Sequence, residues 1–159
     1  GGGVARARAR PRGRRQVHVA VLGGSFNPIT DGHMQLAADV VASGAADEVW
    51  IVPCGPRPDK PSLATPALTR YLLCVLAVEA TLPRSCPAVV TAHEIFEVRA
   101  LATYTLLKRQ AAAFPSCRFS LVIGSDLVPT LPSWQHTAEL QRECAFLVVD
   151  RPGWQPTRA

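Results

Sequence analysis

Apolar and polar residues follow two rhythms along this chain. Short, almost unbroken apolar runs occur at "VHVAVLG" (Val17 to Gly23), "EVWIVPC" (Glu48 to Cys54), "PAVVTAHE" (Pro87 to Glu94), "RFSLVIGSD" (Arg118 to Asp126) and "AFLVVDR" (Ala145 to Arg151). Runs of this length, rich in β-branched residues, read as strands buried on both faces. Between them the apolar positions recur with helical spacing, over about Asp31 to Ser43, "TPALTRYLLCVLAVEA" (Thr65 to Ala80), about Thr103 to Ala113 and about Trp134 to Arg142. Thr30 or Asp31 can cap the first helix, and Gly44 suits the position just past its end. The second has Thr65 as a cap and Pro66 as its first residue. The third starts on the cap-forming Thr103.

Strands alternating with helices call for a parallel sheet covered on both sides. The expected fold is therefore α/β, a Rossmann-like doubly wound sheet of about five strands in the order 3-2-1-4-5. In such sheets a ligand sits beyond the carboxyl ends of the strands where the order reverses. That places Gly24 to His33, after the first strand, against Gly124 to Trp134, after the fourth. These are also the two most unusual loops in the sequence.

Composition narrows the class. The 159 residues suit one domain, and no apolar run approaches the roughly 20 residues of a membrane span. The net charge of +5 arises at one end, where Arg6, Arg8, Arg10, Arg12, Arg14 and Arg15 lie without any acid. The remaining 11 basic and 12 acidic residues nearly cancel. Residues 1–15 are expected to be a disordered Arg-rich tail and residues 16–159 the domain. The tail lacks the apolar core of a secretory signal. It could supply weak nucleic-acid binding, whereas the domain itself is not basic. Five scattered cysteines without Cys-x-x-Cys spacing point to reduced thiols in an intracellular compartment, cytoplasm or nucleus foremost, with an organelle as the alternative.

The first loop carries the clearest chemistry. Gly23 and Gly24 allow close approach of a ligand, and Asn27-Pro28 stiffens the turn. N–H groups at a helix start favour phosphate, and His33 in the first turn could donate to a phosphate oxygen as a neutral ring. Neither Gly-x-Gly-x-x-Gly nor Gly-x4-Gly-Lys-Ser/Thr is present, which argues against a dehydrogenase or P-loop kinase.

"GGSFNPITDGH" resembles the nucleotidyltransferase signature Gly-x-Phe-x-Pro-x-His/Thr-x-x-His. Together with Lys60 and Arg70, "TYTLL", "IGSD", Trp134 and "VVDRPG", it is most similar to the nicotinamide/nicotinate mononucleotide adenylyltransferases. The resemblance implies transfer of adenylyl from ATP to either mononucleotide, giving NAD or deamido-NAD and pyrophosphate. Mg²⁺ would be delivered with ATP, no residues would form a resident metal site, and a homo-oligomer is compatible with it. Thr30, in place of the first histidine of bacterial members, looks like the eukaryotic members that accept both mononucleotides.

The resemblance also implies residue roles. His33 is catalytic and, with Gly24, Phe26, Lys60, Gly124 and Asp126, binds ATP. Ser25, Lys60, Thr103, Tyr104, Thr105 and Trp134 bind the mononucleotide, Trp134 by stacking on the pyridine ring. Arg151 is a weaker phosphate candidate. His18, His93 and His136 are expected to be structural or solvent-facing, and Glu94 is left open. The resemblance further implies an Ile-Ser-Ser/Thr-x-x-Arg motif after the fifth strand that grips the triphosphate; the sequence stops at "RPGWQPTRA", before that motif could occur, so the domain is expected to be C-terminally incomplete. Impaired ATP use is the corresponding expectation. Another nucleotidyltransferase, or a nucleotide- or RNA-binding fragment without turnover, are the competing readings.

Overall fold

A computed structural model describes residues 15–150. The tail before Arg15, together with Arg151 and the rest of the final segment, lies outside the described residues. The element order is β1 (Val17–Gly24), α1 (Asp31–Ala42), β2 (Glu48–Pro53), α2 (Ala67–Thr81), β3 (Ala88–Val90), α3 (Thr103–Ala113), β4 (Cys117–Gly124), a 3-10 segment (Ser125–Ser133), α4 (Thr137–Glu143) and β5 (Ala145–Val149). All strand pairings are parallel, and the sheet order is β3-β2-β1-β4-β5. This is the doubly wound order expected from the pattern. No described helix is long and apolar enough to cross a membrane.

The unbroken apolar runs are explained by two cores, one on each face of the sheet. Ala20, Leu22, Val49 and Ile51 pack with Met34, Ala37 and Val40 of α1 and Cys74 of α2. Their neighbours Val19, Val21, Trp50 and Val52 point the other way, onto Leu106 and Leu107 of α3 and Leu140 of α4. Side chains alternate across a strand, so both phases must be apolar when both faces are covered. Cys74 is fully buried, and burial pushes its thiol up to about 11. All five cysteines are free thiols.

Several boundaries differ from the sequence reading. The third strand was expected over Pro87 to Glu94, yet only Ala88–Val90 is strand. Val49 N–H donates to the Pro87 carbonyl and Thr91 N–H to the Ile51 carbonyl. The next rung needs an N–H at position 53, and Pro53 has none. The stretch after β4 is a 3-10 segment rather than a loop, and it contains Pro129 and Pro132. These prolines and the left-handed His136 (φ 56°) delay α4 to Thr137, three residues later than expected. Pro66, with ψ 144°, is the cap residue of α2 in place of Thr65. Ala102 caps α3, so Thr103 is its first helical residue. At the end of α1, Ser43 is the cap and Gly44 takes φ 75°, the left-handed turn only glycine adopts freely.

His18 is buried, and its Nε2 lies 2.6 Å from Ser120 Oγ across β1 and β4. Its backbone N–H donates to Asp47, which also pairs with exposed Arg15. Burial holds the His18 ring below its ordinary value.

Leu140 is the one buried residue of α4. Leu140→Ala should therefore cost about 2–5 kcal/mol in urea unfolding, whereas Leu72→Ala, on the exposed face of α2, should cost less than about 0.5 kcal/mol. Equal costs for the two would contradict the packing described.

Candidate active site

The parallel register sets the ends of β1 and β4 beside each other. Val21 is paired with Leu121, where the β1–β4 ladder ends, and each strand continues three residues further, to Gly24 and Gly124. The turn from β1 into α1 and the start of the 3-10 segment thus leave the same edge of the sheet.

In the first turn, Phe26 is left-handed at φ 46° although it carries a side chain. Its ring is buried against Gly24 and meets the His33 ring edge-on at 5.1 Å. A Cβ on Gly24 would lie 3.3 Å from that ring, so glycine is what lets the turn fold this tightly. Phe26 therefore serves the turn from inside, and only its backbone can face a ligand. Thr30 caps α1, and its backbone N–H donates to His33 Nδ1 at 3.0 Å in a capping box. Nδ1 is the acceptor, so the proton of the neutral ring belongs on Nε2. One bond both caps the helix and fixes which nitrogen can donate.

After β4, Asp126 lies in the first turn of the 3-10 segment and is partly exposed. Trp134 ends that segment; its indole N–H donates to Thr130 Oγ1 at 3.0 Å. A cavity of about 830 Å³ opens beside it, bounded by Arg57, Asp59, Arg99, Thr103 and Trp134. The start of α3 faces this cavity. Its first N–H groups lack helical acceptors, since the first helical bond is from Leu106 N–H to the Ala102 carbonyl. Arg57 and Asp59 form a two-bond ion pair at 3.0 and 2.9 Å, which raises the arginine and lowers the carboxyl.

Of the residues singled out in the sequence, Thr103 and Trp134 meet at the cavity. Gly24, Ser25 and His33 gather at the β1–α1 turn, and Gly124 and Asp126 lie at the end of β4. Lys60 is exposed one residue beyond the cavity wall. Tyr104 is turned elsewhere: its hydroxyl donates to Glu143 of α4 at 2.7 Å, which raises the phenol and lowers that carboxyl. Thr105 follows on α3 outside the cavity lining. His93 packs against Trp50 and Phe114, and His136 against Tyr104.

Two groups carry more than the sequence showed. Buried Glu94 accepts from Leu101 N–H at 2.7 Å and from Gly55 N–H, joining the two loops that form the cavity wall. Burial raises its carboxyl, against those bonds and the nearby Arg70. Arg70, only 1% exposed, is tied to both β1 and β2 ends. A charged residue within an otherwise apolar helical face was the available signal for Arg70.

A glycine turn, a helix start and a carboxylate at adjoining strand ends define a nucleotide-binding α/β protein. Residues 21–158 match the cytidylyltransferase-like family. The chain is 35% identical over 146 residues to a probable nicotinate-nucleotide adenylyltransferase of Mycolicibacterium vanbaalenii, covering 90% of this chain and 65% of that protein. It is 34% identical to one from Leifsonia xyli subsp. xyli, covering 92% and 68%. A solved Plasmodium falciparum nicotinic acid mononucleotide adenylyltransferase complexed with NaAD superposes with a TM-score of 0.77 at 26% identity, over 88% of this chain and 67% of that one. The chain belongs to the cytidylyltransferase-like family and, within it, to the nicotinate-nucleotide adenylyltransferases. It spans about two-thirds of the length of these relatives.

Removing the Glu94 clamp should loosen the cavity wall. Glu94→Ala leaves the buried Gly55 N–H and the half-buried Leu101 N–H without their carboxylate acceptor and should cost about 1–3 kcal/mol. Glu94→Gln supplies the pH test. The raised carboxyl of Glu94 favours folding below its unfolded value of 4.5, and that advantage fades as pH rises through the folded value. The stability of the parent relative to Glu94→Gln should therefore decline between acid and neutral pH in urea titrations. A relative stability that rises with pH would show that Glu94 is not desolvated.

Proposed function

We propose that this chain transfers adenylyl from ATP to a pyridine mononucleotide, with nicotinate mononucleotide as the favoured acceptor. The observation that carries the reading is the convergence of the His33 turn and the Gly124–Asp126 edge at neighbouring strand ends. The Trp134 cavity, opening on the start of α3, supports it. ATP would lay its phosphates on the Gly24–Phe26 turn and its ribose hydroxyls on Asp126. The pyridine ring would stack on Trp134, whose indole is already oriented by Thr130. A nicotinate carboxylate suits the N–H groups at the start of α3 and the Arg99 side chain on the same wall.

The acceptor 5′-phosphate oxygen forms a bond to the α-phosphorus while the bond to the β-phosphate bridging oxygen breaks, releasing pyrophosphate. His33 Nε2–H donates to an α-phosphate oxygen and stabilises charge there without changing its own proton count. Catalysis is positioning and electrostatic stabilisation, with no covalent intermediate. Lys60 and Ser25 add donors to the phosphates; Thr105 and Tyr104 support the start of α3.

Among the described residues no three His, Cys, Asp or Glu side chains converge, and the phosphate turn offers N–H donors, which suit phosphate oxygens. A divalent cation such as Mg²⁺ would enter on ATP and neutralise the leaving pyrophosphate.

The test is to incubate the chain with ATP, Mg²⁺ and either mononucleotide and to measure dinucleotide by chromatography. Nicotinate mononucleotide should be the better acceptor. His33→Ala should lower turnover by roughly 10²–10³-fold with little change in fold. Undiminished turnover in that variant would remove His33 from the chemistry.

A further inference from the structure

Arg70 is the largest side chain that the fold buries completely. Its Nε donates to the Thr65 carbonyl at 3.2 Å, and one terminal nitrogen donates to the Ser25 carbonyl at 2.7 Å. The other donates to the carbonyls of Cys54 at 2.8 Å and Gly55 at 3.3 Å. Cys54 Sγ lies 3.6 Å from the first terminal nitrogen. Every one of these partners is neutral, and no ion pair of Arg70 occurs among the described residues. The hydrogen-bonding capacity of the guanidinium is used, but no carboxylate touches it; buried Glu94 acts on it only at a distance, without an ion pair.

Burying such a charge is costly, and apolar residues of similar size commonly do better where packing alone is required. Three segments converge on this one group: the turn after β1, the end of β2 and the entry to α2. Holding the Ser25 carbonyl inward has a geometric consequence. Among the described residues the one cis bond is Asn27-Pro28, so the Ser25–Phe26 peptide is trans, and its N–H points opposite to its carbonyl. The Phe26 N–H is thereby aimed away from Arg70, on the other side of the turn. The same bond braces the turn beside left-handed Phe26, whose backbone needs outside support.

We infer that Arg70 is a positioning cation behind the phosphate site: it holds the Ser25–Phe26 peptide with its N–H outward and adds a fixed buried positive charge that an incoming polyphosphate compensates. This inference rests on the nucleotide-binding reading above, and it concerns a residue that touches no substrate. The turn separates the guanidinium from solvent, so its field acts through a poorly screened interior. The inference predicts dependence on ligand charge. A polyphosphate should feel Arg70, whereas an uncharged nucleoside seated at the β4 end should not.

The experiment measures ATP (with Mg²⁺) and adenosine binding to the full chain by calorimetry, comparing the parent with R70Q and R70K. R70Q should weaken ATP on the order of tenfold while adenosine changes less than about twofold. R70K, which restores charge but not the fork of bonds, should recover most of the lost ATP affinity. Equal weakening of ATP and adenosine, or no recovery in R70K, would make Arg70 a structural clamp alone and overturn the inference. Should circular dichroism show R70Q unfolded, R70K decides: ATP retained within about threefold supports the charge role, and parallel loss of both ligands refutes it. A parent chain that binds neither ligand contradicts the nucleotide-binding reading itself, a result distinct from a parent that binds ATP while R70Q binds it equally well.

Discussion

The ladder between β1 and β4 is the constraint on which the rest of the site depends. Because β1 and β4 are neighbours whose following helices, α1 and α4, pack on opposite faces of the sheet, a crevice opens between their ends where the order reverses. The parallel register delivers Gly24 and Gly124 to the same edge. A slip of one residue would exchange the two faces of β1 and turn Val19 and Val21 away from α3 and α4. The apolar cores on both faces therefore fix the register, and the register fixes which loops face each other.

Local chemistry is then layered on that frame. The His33 ring is set by a cap bond and by contact with buried Phe26, so its donor nitrogen is chosen by helix formation rather than by ligand. Trp134 is set by Thr130, and the cavity wall by Glu94 bridging Gly55 and Leu101. Gly55 admits no side chain here, since a Cβ would lie 2.7 Å from the Glu94 carbonyl. These are short, neutral or singly charged interactions that fix the orientation of each group within the fold itself.

Much of this was legible in the sequence. Near-continuous apolar strands gave the parallel sheet and its order, and "GGSFNPITDGH" marked the tight turn from β1 into α1. What escaped was chemistry set by partners distant along the chain. The length of β3 depends on an N–H that Pro53 lacks in the neighbouring strand. The roles of Arg70 and Glu94 appear only once Ser25, Cys54, Gly55 and Leu101 converge on them. The stretch Ser125–Ser133, read as part of a loop, follows a 3-10 path that tolerates Pro129 and Pro132 and ends at Trp134 beside the cavity. Tyr104 shows the converse: its position in "TYTLL" suggested ligand contact, and the neighbouring helix supplies its hydroxyl with Glu143 instead.

Adenylyl transfer requires attack on the α-phosphorus of ATP, and the fate of the α-phosphate tests it most directly. With α-phosphate-labelled ATP, Mg²⁺ and nicotinate mononucleotide, the label should appear in a dinucleotide, and the released pyrophosphate should be unlabelled. Label confined to ATP, or released as AMP with the mononucleotide unchanged, would contradict adenylyl transfer by this chain.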